Sequence, residues 1–257
     1  KIWTLQQIRQ KKELGSQDPK DFDPALLHAA TEYDREQMWQ ELLALAREVL
    51  EPPLQELVVN LLEQNAQGWQ VKPAARRVHH AYLGGLLEHT WFVARLADQM
   101  VRLYPNLNRQ LVVAGAILHD LGKIVELDHP YAPEYTVAGQ LVGHIVLGWE
   151  MIRQEAARID FADQDLLRHL EHIILTHHGQ REFGSPVLPK TQEALLVSMA
   201  DDLDAKLKIM AQHLQADKSD REFTPYHRLL QRELYKISPE NTNELPEEDC
   251  NHDEIHS

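Results

Sequence analysis

One stretch constrains this chain more than any other: AGAILHDLGK, residues 114–123. Small and aliphatic residues precede His119 and Asp120, and Gly122 then interrupts the apolar pattern. The run predicts a buried helix that delivers two adjacent polar side chains into the protein interior. Because a buried carboxylate is costly unless it is paired or bound to a cation, the His-Asp pair predicts a metal site. The rest of the chain would then have to supply further ligands.

The composition favours a large globular domain with an acidic end. The chain has 257 residues, 43% of them hydrophobic, and a formal net charge of −14, which argues against a general nucleic-acid-coating protein. Seven acidic residues and no Lys or Arg lie in residues 238–257, which we expect to form a flexible acidic tail. The single cysteine, Cys250, excludes a disulfide within the chain and favours the cytoplasm. No apolar run reaches the roughly 18 residues that a membrane span needs, so we expect no membrane partner.

The apolar spacing becomes helical from Asp34 onward and predicts an all-α fold. Turn-forming residues between 15 and 24 indicate that residues 1–30 are an N-terminal extension or linker. We expect helices over residues 34–50, 54–62, 73–104, 107–121, 137–159, 163–178, 191–217 and 223–237. An interruption at Gly84-Gly85 is the alternative for the stretch 73–104.

Further candidate ligands lie on separate apolar segments. They are His89, His144, the pair His177 and His178, and Asp201. A lone buried histidine is more often a hydrogen-bonded core residue, but this ordered set would rarely arise by accident. Mixed imidazole and carboxylate ligands suit one or two ions of Mn, Fe, Zn or Co better than Ca.

The order of His89, His119-Asp120 and Asp201 resembles the H…HD…D pattern of the HD-domain metal-dependent phosphohydrolases. Over residues 30–215 the likeness is closer still, to the catalytic part of the YhaM-type 3′→5′ exoribonucleases. The segments that carry it are PAARRVHHAYLGGLLEHT, GAILHDLGK, EYTVAGQLVGHIVLG and LTHHGQREFGSPVLPKTQEALLVSMADDLDAK. The resemblance implies an HD-domain helical bundle over residues 31–237. Such proteins carry an OB-fold module before this domain, so residues 1–30 would be its remnant or its linker.

The resemblance also implies phosphodiester hydrolysis by a metal-activated water. It assigns a first ion to four ligands, which are His89, His119, Asp120 and Asp201. A second ion would be held by His144 and by His177 or His178, and Asp120 would bridge the two ions. Two such ions would clamp the attacking and leaving oxygens of an in-line displacement. Lys123 would contact the phosphate or assist the leaving oxygen, although a cation that stabilises the end of a helix explains it equally well.

Basic residues near the ligands are candidates for RNA contact. Arg76, Arg77 and His80 precede the first ligand helix, and Arg181 and Lys190 flank the loop after the double histidine. Ordinary surface charge is the alternative explanation for each of them.

Three functional hypotheses follow from these residues. The first is a 3′→5′ exoribonuclease, and the second is an HD phosphohydrolase that acts on nucleotides or cyclic dinucleotides. The third is a non-catalytic, metal-stabilised helical module that binds RNA or a partner. The sequence predicts no particular oligomeric state.

Overall fold

A computed structural model of the chain describes residues 29–76, 80–129 and 133–236. Within these ranges the regular structure is helical, and the only strand-like pairings are isolated β-bridges, so the prediction of an all-α fold is confirmed. The helices are α1 (Arg35–Val49), α2 (Leu54–Gln64), α3 (Ala66–Val71), α4 (Gly85–Val101), α5 (Arg109–Leu118), α6 (Lys123–Glu126), α7 (Val137–Leu141), α8 (His144–Arg158), α9 (Gln164–Thr176) and α10 (Gln192–Ala216), with a 3₁₀ turn at Arg181–Phe183.

Side-chain caps fix where several helices begin. Asp34 accepts hydrogen bonds from two amides in the first turn of α1, and Asp163 does the same for α9. Asn108 caps α5 by accepting from the amide of Leu111 at 3.2 Å. Each cap satisfies backbone donors that have no partner within the helix, which typically stabilises a helix by about 1 kcal/mol.

Helix α5 lies at the centre of the hydrophobic core. Every residue from 111 to 118 is buried, because this helix is apolar on all of its faces. It packs against α4 along much of its length and also against α9, α1 and α2. The residues that directly follow α5 therefore lie in the interior.

Two long helices expected from the sequence are interrupted by glycines. The stretch predicted as one helix over 137–159 divides into α7 and α8, because Gly143 adopts a positive φ of 80° between them. The helix expected from residue 73 begins only at Gly85, after Gly84 with a φ of 73°. The first break places His144 in the first turn of α8.

The chain divides into two compact units, Lys1–Ile209 and Met210–Ser257. The predicted helix over residues 223–237 is wrong for the described part of the second unit. Residues 223–236 instead double back through two antiparallel bridges, one of them between Phe223 and Tyr235, and Gln231 has a φ of 54° that interrupts helical geometry. The expected extension, apart from residues 29 and 30, and the expected acidic tail lie outside the described residues. The predicted domain bounds of 31 and 237 stay a prediction.

Candidate metal centre

The His119-Asp120 pair occupies the turn between α5 and α6. Both side chains are buried, with at most 1% of either residue exposed. His119 Nδ1 lies 2.7 Å from the carbonyl oxygen of Ala116, one turn back along the helix. A carbonyl only accepts, so Nδ1 carries the proton and Nε2 presents its lone pair to the interior.

A first ligand cluster, defined as His89, His119 and Asp201, surrounds one oxygen of Asp120. His89 Nε2 lies 3.1 Å from His119 Nε2, 3.1 Å from Asp201 Oδ1 and 3.4 Å from Asp120 Oδ2. His119 Nε2 lies 3.3 Å from the same Asp120 oxygen. One ligand atom from each member lies within 4.8 Å of the others, although α4, the turn after α5, and α10 supply them.

A second ligand cluster, defined as His144, His177 and His178, faces the other oxygen of Asp120. His144 Nε2 lies 3.5 Å from Asp120 Oδ1, and His177 Nε2 lies 3.6 Å from it. One ligand atom from each of these histidines and from Asp120 lies within 4.8 Å of the rest. Asp120 therefore stands between the two clusters, with one carboxylate oxygen directed at each.

A close backbone contact brings α8 to the His-Asp turn. A Cβ built on Gly122 would lie 1.9 Å from the carbonyl oxygen of His144 and 2.6 Å from the amide nitrogen of Gly148. Only glycine fits at position 122, and its absent side chain lets the first turn of α8 carry His144 up to Asp120.

All five histidines of the two clusters are oriented in the same way. Each places Nδ1 against an oxygen: Asp204 Oδ2 for His89 (2.6 Å), Ala116 O for His119 (2.7 Å), Glu126 Oε1 for His144 (3.1 Å), Ile174 O for His177 (2.7 Å) and Phe183 O for His178 (2.6 Å). Metal-bound histidines commonly donate their second nitrogen to such an oxygen, which fixes the tautomer and the ring plane. The arrangement leaves Nε2 of each ring as the metal-binding atom.

Three buried polar atoms in this region fit a cation. Asp120 Oδ1, His144 Nε2 and His177 Nε2 are enclosed and have no hydrogen-bond partner. An unsatisfied buried polar group costs about 1–3 kcal/mol, and more when it is charged. A divalent cation among these atoms would satisfy all three, and nitrogen with carboxylate oxygen is a donor set that suits Mn, Fe, Co or Zn. The residues therefore fit the metal that the sequence predicts.

For three of the ligands the electrostatics favour the protonation state that binds metal. Burial opposes ionisation of Asp120, but Lys123 and His119 hold its pKa well below the usual value. Burial likewise opposes ionisation of Asp201, but the hydrogen bond from His89 lowers its pKa. Burial lowers the pKa of His178 to about 3, so this ring is neutral at pH 7. Ionised carboxylates and neutral imidazoles are the forms that coordinate a cation. His89 differs: burial lowers its pKa, but hydrogen bonds to Asp201 and Asp204 raise it to about 10, so a metal would displace a proton from this ring.

Lys123 is buried beside the clusters. Its Nζ lies 2.6 Å from Asp120 Oδ2, on the side of the first cluster. Burial lowers the pKa of Lys123, but the Asp120 carboxylate raises it more, so the side chain is a buried cation. Its predicted catalytic role stays a prediction, and this position is compatible with contact to a phosphate at Asp120.

The predicted substrate contacts lie on separate segments of the chain. Arg76 pairs with Glu134 at 3.0 Å. Arg181 is exposed in the 3₁₀ turn after His178, and Lys190 is exposed farther along the same loop. Arg77 lies outside the described residues. None of these substrate contacts has been tested, and they stay predictions.

His80 is placed differently from the other predicted substrate contacts. It is fully buried, and its Nε2 lies 3.0 Å from Asp204 Oδ2. A fully buried side chain does not meet a substrate at the surface, so the structure gives no support to the predicted contact.

Two carboxylates that support the clusters were not among the predicted site residues. Asp204 lies behind His89, and it follows Asp201 by three residues, a spacing that places both on one helical face and could have identified it. Glu126 lies behind His144 and also accepts from its backbone amide at 3.0 Å. No pattern in the sequence marks Glu126.

Comparison with known families identifies the domain. The HD domain family matches residues 86–206, a range that contains all seven predicted metal ligands. The chain is an HD-domain protein.

Curated relatives of this HD-domain protein are named 3′-5′ exoribonuclease YhaM. The chain is 35% identical to the protein of a Geobacillus species over 202 residues, which are 79% of this chain and 62% of the relative. It is 34% identical to the Listeria welshimeri protein over 214 residues (83% of this chain, 66% of the relative). It is 37% identical to the Bacillus pumilus protein over 185 residues (72% and 59%). The chain thus spans less than two thirds of the length of these relatives.

No solved structure matches the chain significantly. Among the described residues, none of the helices has both the length and the apolar character that a membrane crossing requires.

Proposed function

We propose that this HD-domain protein is a metal-dependent 3′→5′ exoribonuclease that acts in the cytoplasm. One observation carries the proposal: two ligand clusters meet at the two oxygens of a single buried carboxylate, Asp120. Two cations held about 3.5–4 Å apart are the arrangement by which many nucleases hydrolyse phosphodiesters. The name of the relatives, 3′-5′ exoribonuclease, supports RNA as the substrate and the 3′ end as the point of attack.

The first cluster would hold one ion and the second cluster the other, with Asp120 bridging them. When bound, such ions polarise the phosphate and lower the pKa of a water molecule. The chain itself supplies orientation: the oxygens bonded to each Nδ1 hold the five imidazoles in place. The site would require no serine or cysteine nucleophile, because bound metal would supply that chemistry.

Two side chains at the clusters are suited to RNA. Lys123 can donate from Nζ to a phosphate oxygen near Asp120, which would offset part of the substrate charge. Phe183 is 62% exposed, although its backbone oxygen accepts from His178 at 2.6 Å. An exposed aromatic residue whose backbone contacts a residue of the second cluster is a candidate for base stacking.

The test is the degradation of a short single-stranded oligoribonucleotide in Mn²⁺, labelled at the 5′ end in one reaction and at the 3′ end in the other. A 3′→5′ exoribonuclease shortens the 5′-labelled strand progressively and releases the 3′ label as a mononucleotide from the start. Asp120→Asn should abolish the reaction in a chain that stays helical by circular dichroism. Asp202→Asn is the matched control, because Asp202 is an exposed carboxylate on α10 paired with Lys206 and should leave the rate unchanged.

Other products would identify other functions. Internal fragments of the strand would indicate an endonuclease. Turnover of nucleotides or cyclic dinucleotides without RNA shortening would indicate the second hypothesis drawn from the sequence. Bound metal without turnover of any of these substrates would indicate a non-catalytic module, and each of these results would overturn the proposal.

A further inference from the structure

A buried polar network lies behind the first cluster, on the side away from Asp120. Its centre is Asp204, whose Oδ2 lies 2.6 Å from His89 Nδ1 and 3.0 Å from His80 Nε2. His80 Nδ1 in turn lies 3.0 Å from the hydroxyl of Tyr82. The network therefore connects the segment before α4 to a predicted metal ligand through one carboxylate oxygen on α10.

The backbone of His80 shows that this side chain is placed at a cost. Its φ is 51°, a left-handed conformation that non-glycine residues adopt rarely and that costs on the order of 1 kcal/mol. Two backbone contacts hold His80 in this conformation. Its carbonyl oxygen accepts from the amide of Ala74 at 3.0 Å, and a Cβ on Gly85 would lie only 2.0 Å from that oxygen. Because the fold keeps His80 buried and in a strained backbone conformation, we infer that its contact with Asp204 has a function.

We propose that Asp204, held by His80, is the positioning residue that fixes His89 and thereby sets the affinity of the first cluster for its ion. The inference rests on the metal site of the proposed function and adds to it. An ionised carboxylate only accepts, so both imidazoles direct N–H toward Oδ2, and Nε2 of His89 faces the first cluster, where it would bind the ion once its proton is displaced. His80 contributes by fixing the position of that oxygen.

The chemistry predicts the size of the effect. Residues that hydrogen-bond a metal-ligating histidine typically change metal affinity by about 10–100-fold when they are mutated. A carboxylate partner also makes the imidazole a stronger metal ligand than a carbonyl partner does. Asp204→Asn should therefore weaken the binding of the ion in the first cluster by about 10–100-fold. The ion of the second cluster should bind with unchanged affinity, because His144, His177 and His178 have their own partners.

The experiment measures metal binding without RNA. The full chain is stripped with a chelator and dialysed against a Mn²⁺ series, and bound metal is counted by mass spectrometry for the wild type, Asp204→Asn and His80→Asn. Asparagine tolerates the left-handed backbone at position 80 but is too short to reach Asp204, so it removes the contact without new strain. Asp202→Asn is the matched control on the same helix and should bind as the wild type does.

A ligand variant assigns the affected ion. His144→Ala removes a ligand from the second cluster and should leave the first ion bound. In the double variant with Asp204→Asn, the affinity for this remaining ion should fall by the same factor as it does when Asp204→Asn is made in the wild type. Selective loss of one ion, with the other retained, is a result that general destabilisation would not produce.

Wild-type affinity for both ions in Asp204→Asn and His80→Asn would overturn the proposal. If Asp204→Asn does not fold by circular dichroism, His80→Asn decides alone, and if neither variant folds, the network is structural and the proposal fails. A wild-type chain that binds two ions but degrades no RNA would overturn the proposed function and leave the role of Asp204 standing.

Discussion

At Gly122, the addition of a single methyl group should abolish metal binding at the second cluster while the chain still folds. A Cβ there would lie 1.9 Å from the carbonyl oxygen of His144, whereas real Cβ atoms essentially never approach within 3.0 Å. In Gly122→Ala the two backbones must therefore separate by about 1.1 Å. Metal–imidazole bonds are only about 2.0–2.1 Å long, so a shift of that size takes His144 out of bonding range.

We expect Gly122→Ala to remain folded but to lose the ion of the second cluster. Overpacking of this kind costs about 1–3 kcal/mol of stability. A displacement near 1 Å at a reacting centre lowers a rate by roughly 100-fold. The assays are the free energy of unfolding in urea, the count of bound Mn²⁺, and the rate of RNA shortening.

Gly68→Ala is the matched control for overpacking alone. A Cβ at Gly68 would lie 2.6 Å from Ile124 Cγ2, which is a side-chain atom that can rotate away. This variant should lose some stability and keep both ions. The reasoning is refuted if folded Gly122→Ala retains two ions and turns over at the wild-type rate.

Three further outcomes are expected. Asp98→Asn should lower the free energy of unfolding in urea by about 1–3 kcal/mol, because the buried carboxylate accepts charged hydrogen bonds from Arg102 and Arg109 at 2.6–3.1 Å. In the metal-free chain, burial lowers the folded pKa of His178 to about 3, so the unfolded state binds a proton more readily below about pH 6.5. The stability that His178 contributes is thus complete above that pH and is lost as the pH falls, by at most about 1.4 kcal/mol per pH unit. Between pH 7 and pH 5, the free energy of unfolding in urea should therefore fall less in His178→Gln than in the wild type. Phe183→Ala should raise the KM for RNA, since one stacked base contributes about 1–3 kcal/mol, with little change in kcat; an unchanged KM in steady-state kinetics would exclude stacking on this ring.

The ligand candidates could be found in the sequence because each is a polar residue in an apolar setting. His119 and Asp120 follow a helix whose residues 111–118 are all buried, and His89 and His177 also belong to buried segments. Polar residues in such segments are rare unless they have a partner, so their presence is informative without any knowledge of their neighbours.

The supporting residues could not be found in the same way. Asp204 contacts His80 across 124 residues of sequence, and Glu126 contacts His144 across 18. Glutamate near the end of a short helix is an ordinary surface residue unless the fold brings a histidine to it. His80 illustrates the converse case: a histidine beside basic residues predicts a substrate contact, whereas the structure places this side chain in the interior against Asp204.

The sequence pattern offers Gly84-Gly85 as an interruption of one long helix but does not predict the break at Gly143. Glycine within an apolar periodic stretch permits close helix packing as readily as it ends a helix, and Gly143 ends one where Gly148 does not. In the second unit, residues 223–236 have enough apolar residues for a helix, but Thr224 instead pairs with Leu234, with its amide donating to the carbonyl at 2.8 Å. That pairing depends on a turn at Gln231, whose positive φ no helical period reveals.

The charges around Asp120 favour two ions over one at this site. Asp120 and Asp201 lie in the site, and Asp204 and Glu126 lie directly behind it, so four ionised carboxylates converge where the imidazoles bind metal in their neutral form. Two divalent cations would offset those four charges, whereas a single ion together with Lys123 would leave one of them uncompensated in a buried setting, where an unpaired charge is costly. Lys123 would then add one positive charge beside Asp120. With two ions the centre would carry one excess positive charge, which would match the single negative charge of a phosphodiester and make the complex with the substrate neutral.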